Sequence, residues 1–313
     1  MNFRNLTSLD LAVEFTRVRS RTIDTFKQFK KNLGAGFKVK KTPTINNPRW
    51  EFSHVAWFSE RWLLRNKEIN EGEDANYNKI LNPDANIKTY FKDADKLFDS
   101  SSLAHSDRWI VKLPTELEVI KYLEDTLDKI ILQIKKEKPF TNKECYFYRL
   151  SLAHEYMHLE AFIMTARTLK FPIFNYHEKI VRSSFLKSKK IQIKDRKLST
   201  RNSNLEFLFD NETLNFDTDT KPYEIDTCPV SVEEFLHFYE NDGYLNKPLW
   251  SEEGWNWLLR NKNNTFINLC SSSKNRKFIL NNWFGLDHLV EANFPALHIT
   301  FYEAEAYCNW KKR

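Results

Sequence analysis

Apolar positions in the first half of the chain recur at helical intervals. Over residues 8–33, Leu11, Phe15, Val18, Phe26 and Phe29 return to one face, with Arg and Lys between them. The stretch 49–66 resumes that spacing and places Trp50, His54, Trp57, Phe58 and Arg61 on one side. The T-E-L-E run at Thr115 is a capping-box pattern, and it opens an amphipathic helix that reaches Lys136 and stops before Pro139. A further long helical pattern spans Thr141 to Leu169 and ends at Phe171-Pro172. Residues 34–48, with two Gly and two Pro, are a connector. The polar stretch 67–114, rich in Asn, Asp and Lys, reads as a long loop with short helical pieces, and loops of that length are often functional. Four helices with one long crossing connection predict a four-helix bundle.

The pattern changes after Pro172. Residues 178–200 are basic and partly alternating (KIQIKD), which suggests a linker into a short-strand domain. From 205 onward, short aromatic runs are broken by Asn, Asp and Pro, with brief helices expected at 230–241 and 301–312. An irregular α+β domain with little regular structure follows from this, and no internal repeat is present. At roughly 150 residues per domain, 313 residues suggest two domains. The expected division is a bundle over 1–176, a linker over 177–200 and an α+β domain over 201–313. The chain ends at NWKKR, inside a helical pattern that starts at Thr300 and has no evident cap, so a truncated chain is expected.

Composition narrows the function. The net charge of +6 is small and spread along the chain, too weak for a nucleic-acid binder with a concentrated basic patch. Hydrophobic content of 41% with 15% aromatics supplies buried cores and excludes a disordered chain. The glycines, at 34, 36, 72, 243, 254 and 285, build neither G-x-G-x-x-G nor G-x-x-x-x-G-K-[ST], which argues against nucleotide chemistry. Cys145, Cys228, Cys270 and Cys308 form no C-x-x-C pair, so a disulfide framework or zinc ribbon is not expected and a reducing compartment fits. With no signal-like start and no long apolar span, the expectation is a cytoplasmic protein with no membrane partner.

The candidate chemistry centres on His154-Glu155-Tyr156-Met157-His158-Leu159-Glu160. Residues i and i+4 share a helix face, so both imidazoles can reach one metal. Neutral imidazole suits Fe, Zn, Cu or Ni, which fixes a metal class and no single metal. The same residues spell H-E-x-x-H, in which Glu155 would activate a zinc-bound water. A zinc protease needs a third ligand downstream, and the nearby His177 sits in FNYHEK, which matches no motif. His54 is the better third ligand, on a second helix among Trp50, Trp57 and Phe58; its alternative is a core histidine bonded to a carboxylate. Three histidines from two helices leave coordination positions open, as a catalytic metal requires. Glu160 either orients a ligand from behind or faces solvent.

His54 in PRWEFSHVAWFSERWLLR, together with HEYMHLE at 154–160, resembles the DinB-like four-helix bundle of the ergothioneine-type sulfoxide synthases. In the second half, FLFDNE at 207–212, YEIDTCPVSVEEFLHFYENDGY at 223–244, LWSEEGWNWL at 249–258 and FPALHITFYEAEAYCNW at 294–310 resemble the C-type-lectin-like, sulfatase-modifying-factor domain shared with formylglycine-generating enzymes. The resemblance spans nearly the whole chain. It implies a non-haem Fe(II) enzyme in which His54, His154 and His158 hold the metal. The implied partners are O2, hercynine, whose imidazole carbon receives the new bond, and a chalcogen donor. Trp57 and Trp255 are candidates for cation–π packing against the trimethylammonium group, with core packing the alternative.

Two stretches are similar to the selenoneine synthase branch: LFDSSSLAHSDRWIVKLP at 97–114, and HEYMHLEAFIMTARTL at 154–169, where Met157 stands at a position the sulfur enzymes often fill with Gln. That branch takes a selenosugar where the sulfur branch takes γ-glutamylcysteine or cysteine. Met157 is thus a candidate substrate contact, and Arg108 and His105 are candidates to meet an anionic or hydroxylated donor or are exposed loop residues. Members of the family continue beyond an EAEAYCNW-like helix, so the resemblance implies that the lectin-like domain is incomplete and that the catalytic tyrosine lies beyond residue 313. The alternatives are a zinc-dependent hydrolase using HEYMH and a non-catalytic metal-binding remnant.

Overall fold

A computed structural model of the chain describes residues 3–81, 89–173, 188–199, 205–212, 217–261, 270–272 and 278–312. The chain divides into two compact units, Met1–Tyr176 with Ser199–Asp217, and His177–Leu198 with Thr218–Arg313. His177 and the first part of the expected linker, 177–187, lie outside the described residues.

The first unit is built on four long helices. Helix α1 (Ser8–Leu33) packs on α5 (Glu116–Glu137) and α6 (Asn142–Thr168), and α2 (Pro48–Ser59) packs on the same two. Two short helices, α3 (Tyr77–Leu81) and α4 (Ala94–Phe98), interrupt the long connection between α2 and α5. Thr115 and Thr141 each close a reciprocal capping box, with Glu118 and Glu144, so the two longest C-terminal helices of the unit start where their sequences mark them. The bundle interior is apolar, with Leu11, Phe15, Val18, Ile130, Phe147 and Leu152 buried. A second, aromatic layer joins Phe26 and Phe29 of α1 to Phe37, Phe52 of α2 and Phe162 of α6, with Phe52 and Phe162 stacked at 3.9 Å. Residues 205–212 belong to this unit: Arg4 pairs with Glu212 at 2.8 Å, and Arg149 donates to the Glu206 carbonyl.

One expected helix differs in kind. The pattern over 49–66 predicts a single helix, whereas α2 ends at Ser59 and Glu60–Leu64 is π-helical, with Arg65 N–H bonded to the Glu60 carbonyl five residues back. The wider turn coincides with burial of Glu60, Arg61 and Arg65 together. π-turns of this kind are frequent near functional sites.

The second unit combines strands and short helices. Where the sequence suggests a linker, β1 (Lys190–Ile193) and β2 (Arg196–Ser199) form; β1 pairs antiparallel with β4 (Tyr223–Asp226), and β2 pairs with β3 (Asp217–Thr220). Strands β5 (Cys270–Ser272), β6 (Phe278–Trp283) and β7 (Leu286–Glu291) make an antiparallel sheet in that order. The β6–β7 hairpin turns at Phe284-Gly285, both at positive φ, as a two-residue turn matched to strand twist requires. The expected helices appear as α7 (Val232–Glu240) and α9 (Phe301–Lys311), each with a capping box. Helix α8 (Glu252–Arg260), capped by Ser251, lies between them and is not among the helices the sequence pattern predicts. Its signal is a serine followed by two acids and a W-x-W-L-L run. Lys312 closes α9 in the left-handed region although the sequence offers no Gly or Asn there. Phe235, Phe238, Trp250, Ala306 and Tyr307 form the core of this unit. Among the described residues, no helix is long and apolar enough to cross a membrane.

Candidate metal centre

Helix α2 starts cleanly, with Asn47 accepting from the Arg49 N–H and Pro48 in the first turn. Seven residues after the cap it presents His54 to the interior, 4% exposed. Helix α6 presents His154 and His158 one turn apart. The three Nε2 atoms converge: His54 lies 3.1 Å and His158 3.2 Å from that of His154. Among the described residues, these histidines are the group placed to hold a metal ion. Two imidazole nitrogens bonded to one ion at ~2.1 Å stand about 3.0–3.4 Å apart, so the separations fit a shared metal.

The hydrogen bonds behind the rings point the same way. His54 Nδ1 faces the Phe98 carbonyl at 2.7 Å, and His158 Nδ1 faces a Glu51 carboxylate oxygen at 2.8 Å. A carbonyl and a carboxylate only accept, so Nδ1 is the donor in both rings and Nε2 is the nitrogen each ring turns inward. Imidazole nitrogens brought this close together suit a shared cation. Burial, with the neighbouring His158 adding to it against the pull of the Phe98 carbonyl, lowers His54 to about 3, and burial lowers His154 well below the ordinary histidine range. Both imidazoles are therefore neutral at physiological pH, with no proton for a metal to displace. His154 stacks on Phe58 at 3.6 Å, and His54 is sandwiched between Trp50 at 5.0 Å and Trp57 at 5.5 Å.

The remaining sequence candidates are placed differently. Glu160 is exposed, and the carboxylate behind His158 is Glu51, 2% exposed. Met157 is half exposed on the outer side of α6. His105 donates to the Ile45 carbonyl, and Arg108 donates to Asn46 and the Ser100 carbonyl while its guanidinium lies 4.3 Å from the Trp50 ring. Both residues thus fasten the connector to residues 45–50. Arg108 also stays close enough to depress His54 further. Trp57 is buried against His54, with Arg61 over its ring, and Trp255 packs against the core of the second unit.

Glu155 corrects the zinc-hydrolase alternative. It is fully buried, accepts two bonds from Arg19 at 2.8 and 2.9 Å, and takes a third from Thr22 at 2.6 Å. Adjacent helix positions point about 100° apart, so the carboxylate is turned to α1 and away from the histidines. It has no free oxygen with which to activate a metal-bound water. Sequence reasoning missed Arg19 and Glu51. Glu51 alone carried a local signal, an acid between Trp50 and Phe52 on the helix of a candidate ligand.

Comparison with known proteins adds one match. Residues 188–313 match the sulfatase-modifying factor enzyme 1-like domain, less than half of the chain. No curated protein matches. The chain therefore couples a helical unit with a three-histidine cluster to a stretch similar to the sulfatase-modifying factor enzyme 1-like domain.

Proposed function

We propose that this chain is a non-haem iron(II), O2-dependent oxidoreductase of the hercynine sulfoxide or selenoneine synthase type, acting in the cytoplasm, with residues 1–176 as a DinB-like bundle. The observation that carries the reading is the convergence of three Nε2 atoms from two helices of a bundle. The sulfatase-modifying-factor match over 188–313 supports it, because the resemblance pairs these two parts in this order. His54, His154 and His158 would hold Fe(II), which when bound would supply O2 activation and a coordination position for the sulfur or selenium donor.

The chain's own residues do the rest. Glu51 and the Phe98 carbonyl keep the Nδ1 protons of His158 and His54 in place and so keep both Nε2 atoms available. Phe58 fixes the plane of His154, and the stacked Phe52–Phe162 pair, beside His158, walls the site off from water on that side. Hercynine is the acceptor, and a selenosugar, γ-glutamylcysteine or cysteine the donor.

The test is anaerobic reconstitution with Fe(II), then turnover with hercynine, O2 and each donor, with His54→Ala in parallel. Product with one donor, lost in the variant, is expected. Stoichiometric iron bound through His54, with a spectrum that responds to neither hercynine nor any donor, would refute the hercynine chemistry. Failure of the wild type to bind iron would refute the centre itself.

A further inference from the structure

Helix α4 has only five residues, too few to be helical in isolation. Its N-cap, Asp93, sits in the left-handed region with φ 60° and makes no side-chain capping bond. What holds α4 is α2. Three ring N–H groups at positions 50, 54 and 57, which share one helix face, all donate into it. Trp50 Nε1 donates to the Leu97 carbonyl at 2.6 Å, His54 Nδ1 to the Phe98 carbonyl at 2.7 Å, and Trp57 Nε1 to Asp95 Oδ1 at 2.7 Å. Carbonyls in the last turn of a helix lack an intrahelical partner, so the rings satisfy groups that α4 leaves open.

Asp95 anchors this arrangement. Its carboxylate also accepts both terminal nitrogens of Arg65, at 2.6 and 3.0 Å, and pairs with Arg61 at 3.1 Å. Ala94 and Phe98, on either side of it, are fully buried. The Asp95 contacts come from Trp57 and the π-turn, and they grip the first turn of α4, whereas the His54 contact lies at its last residue.

We infer that Asp95 is a positioning residue for His54: its carboxylate seats α4 on Trp57, Arg61 and Arg65, and the seated helix presents the Phe98 carbonyl that holds the His54 proton on Nδ1. The inference deepens the metal reading and rests on it. A purely structural Asp95 would affect stability and leave the His54 tautomer alone.

The experiment uses the full chain as wild type, Asp95→Ala, Asp95→Asn and His54→Ala. Long-range 1H–15N correlations on the metal-free protein report which imidazole nitrogen carries the proton. Co(II) titration, followed in the visible spectrum, reports affinity and ligand field. Wild type is expected to show His54 protonated on Nδ1. Asp95→Ala should shift it toward Nε2–H, weaken Co(II) binding about 10- to 100-fold and alter the spectrum. Asp95→Asn keeps the side-chain volume and an acceptor for Trp57, so it carries the test if the alanine variant does not fold, and should show a smaller change of the same sign. A wild-type tautomer and wild-type Co(II) affinity in both Asp95 variants would overturn the inference while leaving the histidine centre standing. Absence of Co(II) binding by the wild type, equal to that of His54→Ala, would overturn the metal reading and the inference with it.

Discussion

Arg19 and Glu155 form a charged pair buried in the helical unit. Both are fully buried, and between them they engage Thr22, Ser59, Thr126 and the Leu123 carbonyl. Removing one member strands the other charge in a medium that solvates it poorly, which costs about 3–5 kcal/mol. Arg19→Met is therefore expected to lower the unfolding free energy by about that amount in a denaturant titration. Arg19→Met with Glu155→Leu should recover most of the loss, since a neutral pair leaves no stranded charge. If the single variant matches the wild type, the pair is not a buried anchor. Neither residue is legible as a partner in the sequence, because 136 positions separate them. Glu155 reads there through its neighbours in H-E-x-x-H. His154 and His158 are legible because their pairing needs only the period of a helix.

At the scale of elements, the turns depend on backbone conformations that few residues adopt. The 3₁₀ segment Ile69–Asp74 is broken at Gly72, at φ 52° and ψ −127°. A Cβ there would come within 2.9 Å of the Lys143 carbonyl oxygen at the start of α6. Gly72→Ala thus meets both an unfavourable φ and backbone that cannot swing aside, and a loss of roughly 1–3 kcal/mol is expected in thermal or chemical unfolding. An unchanged midpoint would show that the segment relaxes without cost. The helices are legible because capping boxes at Thr115, Ser231 and Thr300 mark their starts locally. The π-turn at Glu60–Leu64 is not, since its sequence also satisfies an α-helical period.

For the whole molecule, Glu60 ties pH to stability. Burial raises its carboxyl to about 7, against the opposing hydrogen bond from Tyr122 and the charge of Arg65. The folded protein keeps this proton up to about pH 7, whereas the unfolded chain releases it near 4.5. Between those values the folded state binds more protons, so this group's contribution is fully present below 4.5 and is lost as pH rises through 7. Glu60→Gln removes the dependence. Relative to wild type, the variant should gain stability as pH is raised from 4.5 to 7.5, by up to about 3 kcal/mol. Denaturant unfolding at a series of pH values measures this, and a constant difference between the two proteins would refute it. Asp95 runs the other way: burial raises it, but Arg65, the Trp57 indole and Arg61 outweigh that and hold it at about 2, so its contribution is lost only below pH 3.8.

The sequence by itself determined what repeats locally: the long helical stretches, the cap at Thr115, the histidine pair one turn apart, and the change of character after Pro172. It also singled out His54, because a histidine among tryptophans on an apolar face needs a partner. Strands β1 and β2 were harder to place, since exposed, alternating, basic residues look the same in a linker as in an edge strand. Only the tertiary structure decided which acid stands behind His158, why Glu155 is no base, and how a five-residue helix orients His54. Each of these depends on side chains brought together by packing from distant parts of the chain. A period of 3.6 residues states which face a side chain takes but carries no record of what lies across from it.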